Sequence, residues 1–445
     1  MKRLATLLLI LLFALFACST EAPEDNGVSG EDASQEESED TDEEVDEPVD
    51  TGPECPTSTD DEPVGLHLTW RQDPTTTMVI DWHTEPGTET PSTLCFKEEG
   101  GEYWAAKVEG HSFQKPLSER TIHRLELTDL EPATTYSFQV GEFGREYKFR
   151  TMPADLDENP VVFATGGDVQ AIPQFLEEMN EVAMDYDLDF LAWGGDLAYA
   201  NGFITERWEW WFEANMRSLI DDDGRVVPIV VGIGNHEVID GYYTNHDDYE
   251  ATDGWQESVA PFYYGLFAFP GHPGYGTLDF GDYMSFVLLD TNHTGPVGGA
   301  QTEWLEAELI ERSERGVTHI FPIYHVAAYP SHRNFEGSIH VAVREHWVPL
   351  FEAHGVKLAF ENHEHTYKRT HPILAGEVHD DGIVYMGDGA WGVPTRTGDN
   401  KDAWFIDQFA SQRHGIIVTI HNDRHEAIAV NNSGEVIDEY TGQNP

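Results

Sequence analysis

Apolar and polar positions alternate along this chain in two different rhythms. From Gly65 to about Met152 the apolar residues come every second position in short runs separated by turn residues. The runs are "GLHLTW", "TMVIDWHT", "STLCFKEE", "HRLELTDL", "TTYSFQVG" and "EYKFRTM". This period-two spacing with frequent turns predicts an all-β sandwich whose aromatics form its core. From about Pro160 the rhythm changes. Unbroken apolar runs, "PVVFATGGD", "LDFLAWGGDLAY" and "VVPIVVGIGNHE", are separated by helical patterns in "QFLEEMNEVAMDY" and "WEWWFEANMRSLI". That β-α-β-α-β order predicts a parallel or mixed sheet covered by helices. Trp208 and Trp211 fall where packing residues belong. Further runs follow in "YMSFVLLDTN", "QTEWLEAELIERSE", "VTHIFPIYH", "VAVREHWVPLFEAHG", "VKLAFENHEH", "DGIVYMGDGAWG", "GIIVTIHND" and "EAIAVNNSG".

The N-terminus follows neither rhythm. "MKRLATLLLILLFALFACST" places two basic residues before an apolar run that is too short to span a bilayer but suits an export signal. Cys18 directly follows "LFA", as in a bacterial lipobox, although Phe16 is unusual there. Residues 1–18 are thus expected to be a signal or lipoprotein segment, with ordinary cleavage and secretion as the alternative. The expected location is the cell envelope, periplasm or outer membrane, and contact with a membrane is expected only through a lipid on Cys18. Residues 19–63 form an acidic linker: 15 of the 30 positions in 21–50 are Asp or Glu. Such a segment buries too little apolar surface to order itself. Cys55 and Cys95 remain as a candidate disulfide in an exported protein.

The net charge of −57, from 25 basic and 82 acidic residues among 445, argues against nucleic acid as a partner. It leaves a phosphate ester possible as substrate, because bound cations invert the charge locally.

Chemistry-bearing residues gather where apolar runs end. The first run ends at Asp168, the second at Asp196 with Tyr199 after it, the third at Asn235 and His236, a later one at His325, and the last at His363 and His365. Ligands of open α/β sheets bind beyond the carboxyl ends of strands. Two carboxylates, imidazoles, an amide oxygen and a phenol together suit two cations of borderline to hard character. Gly166, Gly167, Gly194, Gly195 and Gly234 stand beside them. If the strand continued through His363 and His365, both would point to the same side.

The blocks "GGD", "GGDLAY", "GNHE", "YHVAAY" and "NHEHTYKR" resemble the metallophosphoesterase (calcineurin-like) superfamily, and Tyr199 three after Asp196 resembles its purple acid phosphatase branch. "LEPATTYSF" resembles a tyrosine corner, and residues 64–153 resemble a fibronectin type III module. The resemblance implies a four-layer α/β (α+β) sandwich over 158–445, preceded by the all-β fibronectin type III-like domain. It implies two metal ions: ferric iron on Asp168, Tyr199 and His365, and a divalent ion (Fe, Zn or Mn) on Asn235, His325 and His363, with Asp196 bridging. It gives His236 to substrate phosphate and His332, with His340 as the alternative, to the leaving group. The implied reaction is hydrolysis of a small-molecule phosphate monoester by a hydroxide activated between the metals. The same site acting on phosphodiesters or nucleotides is one rival, and a non-catalytic surface-adhesion lipoprotein is another. Two departures stand out. Val169 and Gln170 follow Asp168 where Asp-x-Gly is usual, and Asn362 after Glu361 replaces a glycine before His363.

Overall fold

The computed structural model describes residues 52–56, 62–102, 104–157 and 160–443. The leader, Cys18 and nearly all of the acidic linker lie outside the described residues. Eight strands form the N-terminal sandwich: β1 (Val64–Thr69), β2 (Met78–Thr84), β3 (Thr93–Glu98), β4 (Ala106–Glu109), β5 (His111–Gln114), β6 (Thr121–Leu127), β7 (Thr135–Val140) and β8 (Tyr147–Arg150). They make two antiparallel sheets, ordered β1-β2-β6-β5 and β4-β3-β7-β8. The tyrosine corner is present, with the Glu131 N–H donating to Tyr136 Oη at 2.9 Å. A disulfide joins Cys55 to Cys95 of β3.

The larger part begins with β9 (Val161–Gly166), α1 (Pro173–Met184), β10 (Phe190–Trp193), α2 (Thr205–Ser218), β11 (Ile229–Val231), α3 (Asp253–Val259) and α4 (Pro261–Leu266). It continues through β12 (Gly276–Phe280), β13 (Met284–Leu289), α5 (Ala300–Arg315), β14 (His319–Val326), α6 (Ser338–His346), α7 (Val348–Ala353) and β15 (Leu358–Asn362). It closes with β16 (Tyr367–Thr370), the short hairpin β17 (Ile373–Leu374) and β18 (Glu377–Val378), then β19 (Val384–Gly387), β20 (Ile406–Ala410), β21 (His414–Ile420), β22 (Arg424–Asn431) and β23 (Val436–Gln443). One sheet runs β11-β10-β9-β21-β22-β23 and the other β12-β13-β14-β15-β19-β16-β20. Strands β9, β10 and β11 are parallel, as are β13, β14, β15 and β19. The stretch "VAVREHWVPLFEAHG" is not one helix. It breaks between α6 and α7, where Pro349 cannot donate into a continuing helix.

The two sheets pack face to face through Phe163, Phe190, Phe286, Phe321 and Phe360, whose rings meet at 5.1–6.1 Å between centroids. Each such buried ring contributes about 1.5–3 kcal/mol. Trp208 and Trp211 of α2 cover the outer face of the first sheet, and Leu305, Trp347 and Phe351 cover the second. The result is helix, sheet, sheet, helix. The N-terminal sandwich shares this core: Trp70 lies 5.8 Å from both Phe190 and Phe280. Arg124 ties the two parts together, bonding Asp81 at 2.7 Å and the Leu266 carbonyl at 3.0 Å.

Candidate metal centre

Because β9, β10 and β11 run in parallel, as do β14 and β15, their carboxyl ends leave the two sheets along one edge. Asp168, Asp196, Tyr199, Asn235 and His236 come off the first sheet, and His325, His363 and His365 come off the second. His363 and His365 do not continue β15, which ends at Asn362. Both lie in a bend with positive φ, 79° and 57°. The two-residue strand period therefore does not govern where they point. Asp168, Asp196 and Tyr199 are also left-handed, at φ of 55°, 54° and 54°. Non-glycine residues held in this region cluster at functional sites. Gly234 shows how tight the turns are, since a Cβ there would stand 2.4 Å from Asp196 Oδ1.

The side chains converge in two groups. Asp168 Oδ1 lies 2.9 Å from His365 Nε2 and 3.0 Å from Tyr199 Oη, and these two atoms are 3.2 Å apart. The other group centres on His325 Nε2, which is 3.0 Å from His363 Nδ1, 3.1 Å from Asp196 Oδ2 and 3.2 Å from Asn235 Oδ1. Adjacent ligands of one octahedral ion at about 2.1 Å stand roughly 3 Å apart, so both spacings fit a cation. Asp196, His325 and His363 are buried, and their ligand atoms lie within 4.8 Å of one another. This is a buried group able to hold a metal.

The outward nitrogens set the tautomers. His325 Nδ1 bonds the Gly194 carbonyl at 3.0 Å and His365 Nδ1 the Pro394 carbonyl at 3.1 Å. Each Nδ1 proton is held there, so Nε2 is the nitrogen that would face a cation. His363 is mirrored, with Nε2 lying 3.4 Å from the Tyr242 hydroxyl and Nδ1 facing His325.

Charge in this crevice is unbalanced without a cation. Burial and the charges of Asp168 and Asp196 push the Tyr199 phenol well above its ordinary range. Burial would raise Asp196 as well, but His325 and His236 beside it hold it low. Burial would lower His325, but Asp196 raises it to about 9. Burial and Asp196 push Glu237 up to about 7. A cation would reverse this balance by favouring the ionised phenol and neutral imidazoles.

Residues 63–151 match the family model for the purple acid phosphatase N-terminal domain, and residues 163–367 match that for calcineurin-like phosphoesterases. An uncharacterized protein of Mycobacterium tuberculosis is 27% identical over 341 residues, covering 69% of this chain and 62% of its own length. The chain thus spans about three fifths of that relative. Purple acid phosphatase 18 of Arabidopsis thaliana is 24% identical over 314 residues, covering 68% of this chain and 66% of its own. The fold is similar to that of purple acid phosphatase PPD1 from yellow lupin (Lupinus luteus) seeds, at a TM-score of 0.69 and 18% identity, over 86% of this chain and 74% of that one. The chain belongs to the purple acid phosphatase branch of the calcineurin-like superfamily.

Within this purple acid phosphatase fold, the unusual Asn362 has a structural explanation. Its side chain fills the space left by two glycines: a Cβ on Gly167 would stand 2.4 Å from its Oδ1, and one on Gly194 would stand 2.0 Å from its Nδ2. Nδ2 also donates to the Tyr324 carbonyl at 2.9 Å. The preceding Glu361 is buried, accepts from Tyr324 Oη at 2.7 Å, and is paired with the buried Lys368. Val169 and Gln170 are both buried behind Asp168, and Gln170 Nε2 bonds the Arg207 carbonyl at 3.2 Å.

His236 lies over the Tyr199 ring at 4.2 Å between centroids, with Nε2 3.9 Å from Asp196 Oδ2 and Nδ1 2.5 Å from Asn201 Oδ1. His332 is beside the cluster through its backbone, which donates to Glu364 Oε2 at 3.0 Å. Its imidazole stands 3.6 Å from Asp399 and makes no hydrogen bond, ion pair or ring contact with the seven ligand candidates among the described residues. His340 is buried in α6, on the Ala327 carbonyl at 2.5 Å. Sequence reasoning missed Asn201, Tyr242, Glu237, Arg333 and Arg396. Glu237 carried a signal, in the quoted "GNHE". It receives the N–H groups of Asp196, Leu197 and Gly234 at 2.8 Å and so shapes both turns.

Proposed function

We propose that the protein hydrolyses phosphate monoesters at a dinuclear centre. Ferric iron would be held by Asp168, Tyr199 and His365, and divalent iron, zinc or manganese by Asn235, His325 and His363, with Asp196 between them. The observation that carries this is the pair of donor groups at roughly 3 Å spacing, with each imidazole's other nitrogen engaged elsewhere. When bound, the two ions would lower the pKa of a water and polarise the phosphoryl oxygens.

The chain's own residues supply the rest. The Asn201 amide holds the Nδ1 proton of His236, which leaves Nε2 free to meet a phosphoryl oxygen or the leaving alkoxide. His332 is a weaker candidate for that second task, because its ring stands by Asp399. Burial of Asp168, Asp196, His325 and His363 excludes water from behind the ligands. The Cys55–Cys95 disulfide supports an exported location, and residues 1–18 with Cys18 support a lipid anchor on the cell envelope.

The test is metal analysis of the purified chain together with turnover of p-nitrophenyl phosphate and bis(p-nitrophenyl) phosphate. Two ions per chain and faster monoester turnover are expected. A chain that holds no ions, or one that cleaves neither ester with its metals loaded, would overturn the proposal.

A further inference from the structure

Two arginines converge on the ligand turn from loops that carry no periodic pattern. Arg333 Nη1 donates to the His363 carbonyl at 2.5 Å, and Arg396 Nη1 donates to the same oxygen at 3.0 Å. Two cationic groups are therefore neighbours on one acceptor, an arrangement that repels unless anions answer it. Glu364 answers Arg333, at 2.8 Å. Among the described residues no carboxylate lies within ion-pair distance of Arg396, in a chain with 82 acidic residues.

The position of Arg396 is set by the backbone as well as by its side chain. Its N–H donates to the His365 carbonyl at 3.0 Å, and the Pro394 carbonyl accepts from the same histidine at 3.1 Å. Its Nη2 then lies 3.4 Å from His365 Nε2, the atom that completes the triangle with Asp168 and Tyr199. With His365 Nε2 engaged as a metal ligand, the Arg396 N–H would be left to meet an anion at the centre. The Arg396 side chain is only half-buried, so an anion approaching the centre can reach it.

We propose that Arg396, held in place beside Arg333, binds a non-bridging oxygen of the scissile phosphoryl group and makes the site select the dianionic phosphate of a monoester over the monoanionic phosphate of a diester. This rests on the metal-dependent phosphoesterase proposed above and names the residue that decides its substrate class. A guanidinium presents two N–H groups in a plane that matches phosphate oxygens, and the second negative charge of a monoester, whose second pKa is near 6, strengthens that bond. Arg333, already engaged by Glu364, is a positioning residue.

The experiment compares Arg396→Gln and Arg396→Lys with wild type in the metal-loaded full chain. It measures ions per chain, the affinity for inorganic phosphate by calorimetry, and kcat/KM for p-nitrophenyl phosphate and bis(p-nitrophenyl) phosphate. In Arg396→Gln the phosphate Kd is expected to rise about 10–100-fold and the monoester-to-diester ratio to fall by a similar factor, as for a lost charged hydrogen bond. Metal content should stay at wild-type level, and Arg396→Lys should recover part of both losses. An unchanged phosphate Kd overturns the proposal. So does a loss of bound metal with both esters declining in parallel, which would show that Arg396 only braces the His365 turn. If wild type cleaves neither ester, the hydrolytic function fails on its own, and the phosphate affinities of wild type and variant still decide the role of Arg396.

Discussion

Asp196 Oδ2 and His325 Nε2 stand 3.1 Å apart, and both side chains are buried. The carboxylate also receives the His236 N–H at 2.7 Å on Oδ1, and its charge acts on the Tyr199 phenol. In the dinuclear proposal it lies between the two donor groups. Asp196→Asn keeps the shape and the N–H contact but removes the charge. Turnover is expected to fall on the order of 10³-fold or more, with fewer than two ions per chain and an unchanged circular dichroism spectrum. Full activity in this variant would sink the dinuclear proposal.

Tyr199 offers an optical check. A phenolate bound to ferric iron absorbs visible light, so the purified protein is expected to be pink or purple. Tyr199→Phe keeps the ring that packs under His236 at 4.2 Å but loses Oη. The variant should be colourless and still folded. A colourless wild type that contains zinc or manganese alone would remove iron from the proposal.

The convergence of the candidate ligands was legible because an Asp, Asn or His at the end of an apolar strand is chemically out of place unless it has a partner. Asp168, Asp196, Asn235 and His325 each stood out for that reason. The tyrosine corner was legible from the resemblance of "LEPATTYSF", and the Cys55–Cys95 pair from the cysteine count. The bend at His363 and His365 was not, since nothing in "ENHEHTYKRT" marks where β15 stops. Tyr242 and Arg396 were not legible either. Tyr242 reaches His363 across 121 residues, and Arg396 reaches it across 33, from loops whose path only the tertiary fold fixes. Docking of the sandwich on the larger part was equally hidden, because Trp70 reads as ordinary core until Phe190 and Phe280 are seen against it.

The disulfide closes 40 residues of sequence. A loop of that size would gain about 4 kcal/mol from restricting the unfolded chain. Most of β1 and β2 is already held by pairing, so the figure is an upper bound. Cys95→Ser is expected to lower Tm by roughly a few degrees and to leave metal content unchanged, as calorimetry and metal analysis would show. Loss of metal along with the disulfide would mean that the sandwich supports the centre more directly than the contacts indicate.

Acid stability should depend on two buried imidazoles far from the centre in sequence and outside its ligand set. Burial pushes His414 down to about 4 and His425 to about 3. An unfolded histidine titrates near 6.5. Below that pH the unfolded chain takes up protons that the folded chain does not, so stability is complete above about 6.5 and falls as pH drops toward 4. Asp290, pushed by burial up to about 6, works in the opposite sense and offsets part of the loss between its unfolded value and pH 6. His425→Leu removes one of the two imidazoles, so its Tm should decline less steeply than that of wild type between pH 6.5 and 4. Equal slopes would show that His425 does not contribute.

Beneath the ligand turn lies a buried charge network whose removal should be costly in one order and tolerable in another. Lys368 is fully buried, pairs with Glu361, and lies 3.2 Å from Asp388. Burial raises Asp388 to about 7 despite that lysine, so two carboxylates depend on one cation. Glu361 also holds the Ala328 N–H at 2.6 Å, just after β14, and Asp388 accepts the Ser331 N–H at 3.1 Å. Lys368→Met fills the same volume and strands both acids, which is expected to cost about 3–5 kcal/mol. Adding Glu361→Gln removes one stranded charge while keeping a group that accepts the Tyr324 hydroxyl. The double variant should therefore be more stable than Lys368→Met alone, and its loss smaller than the sum of the two single losses by a coupling of roughly 1–3 kcal/mol in urea unfolding. If the two changes simply add, the network is held by packing, and the charges at Glu361 and Lys368 do not stabilise each other.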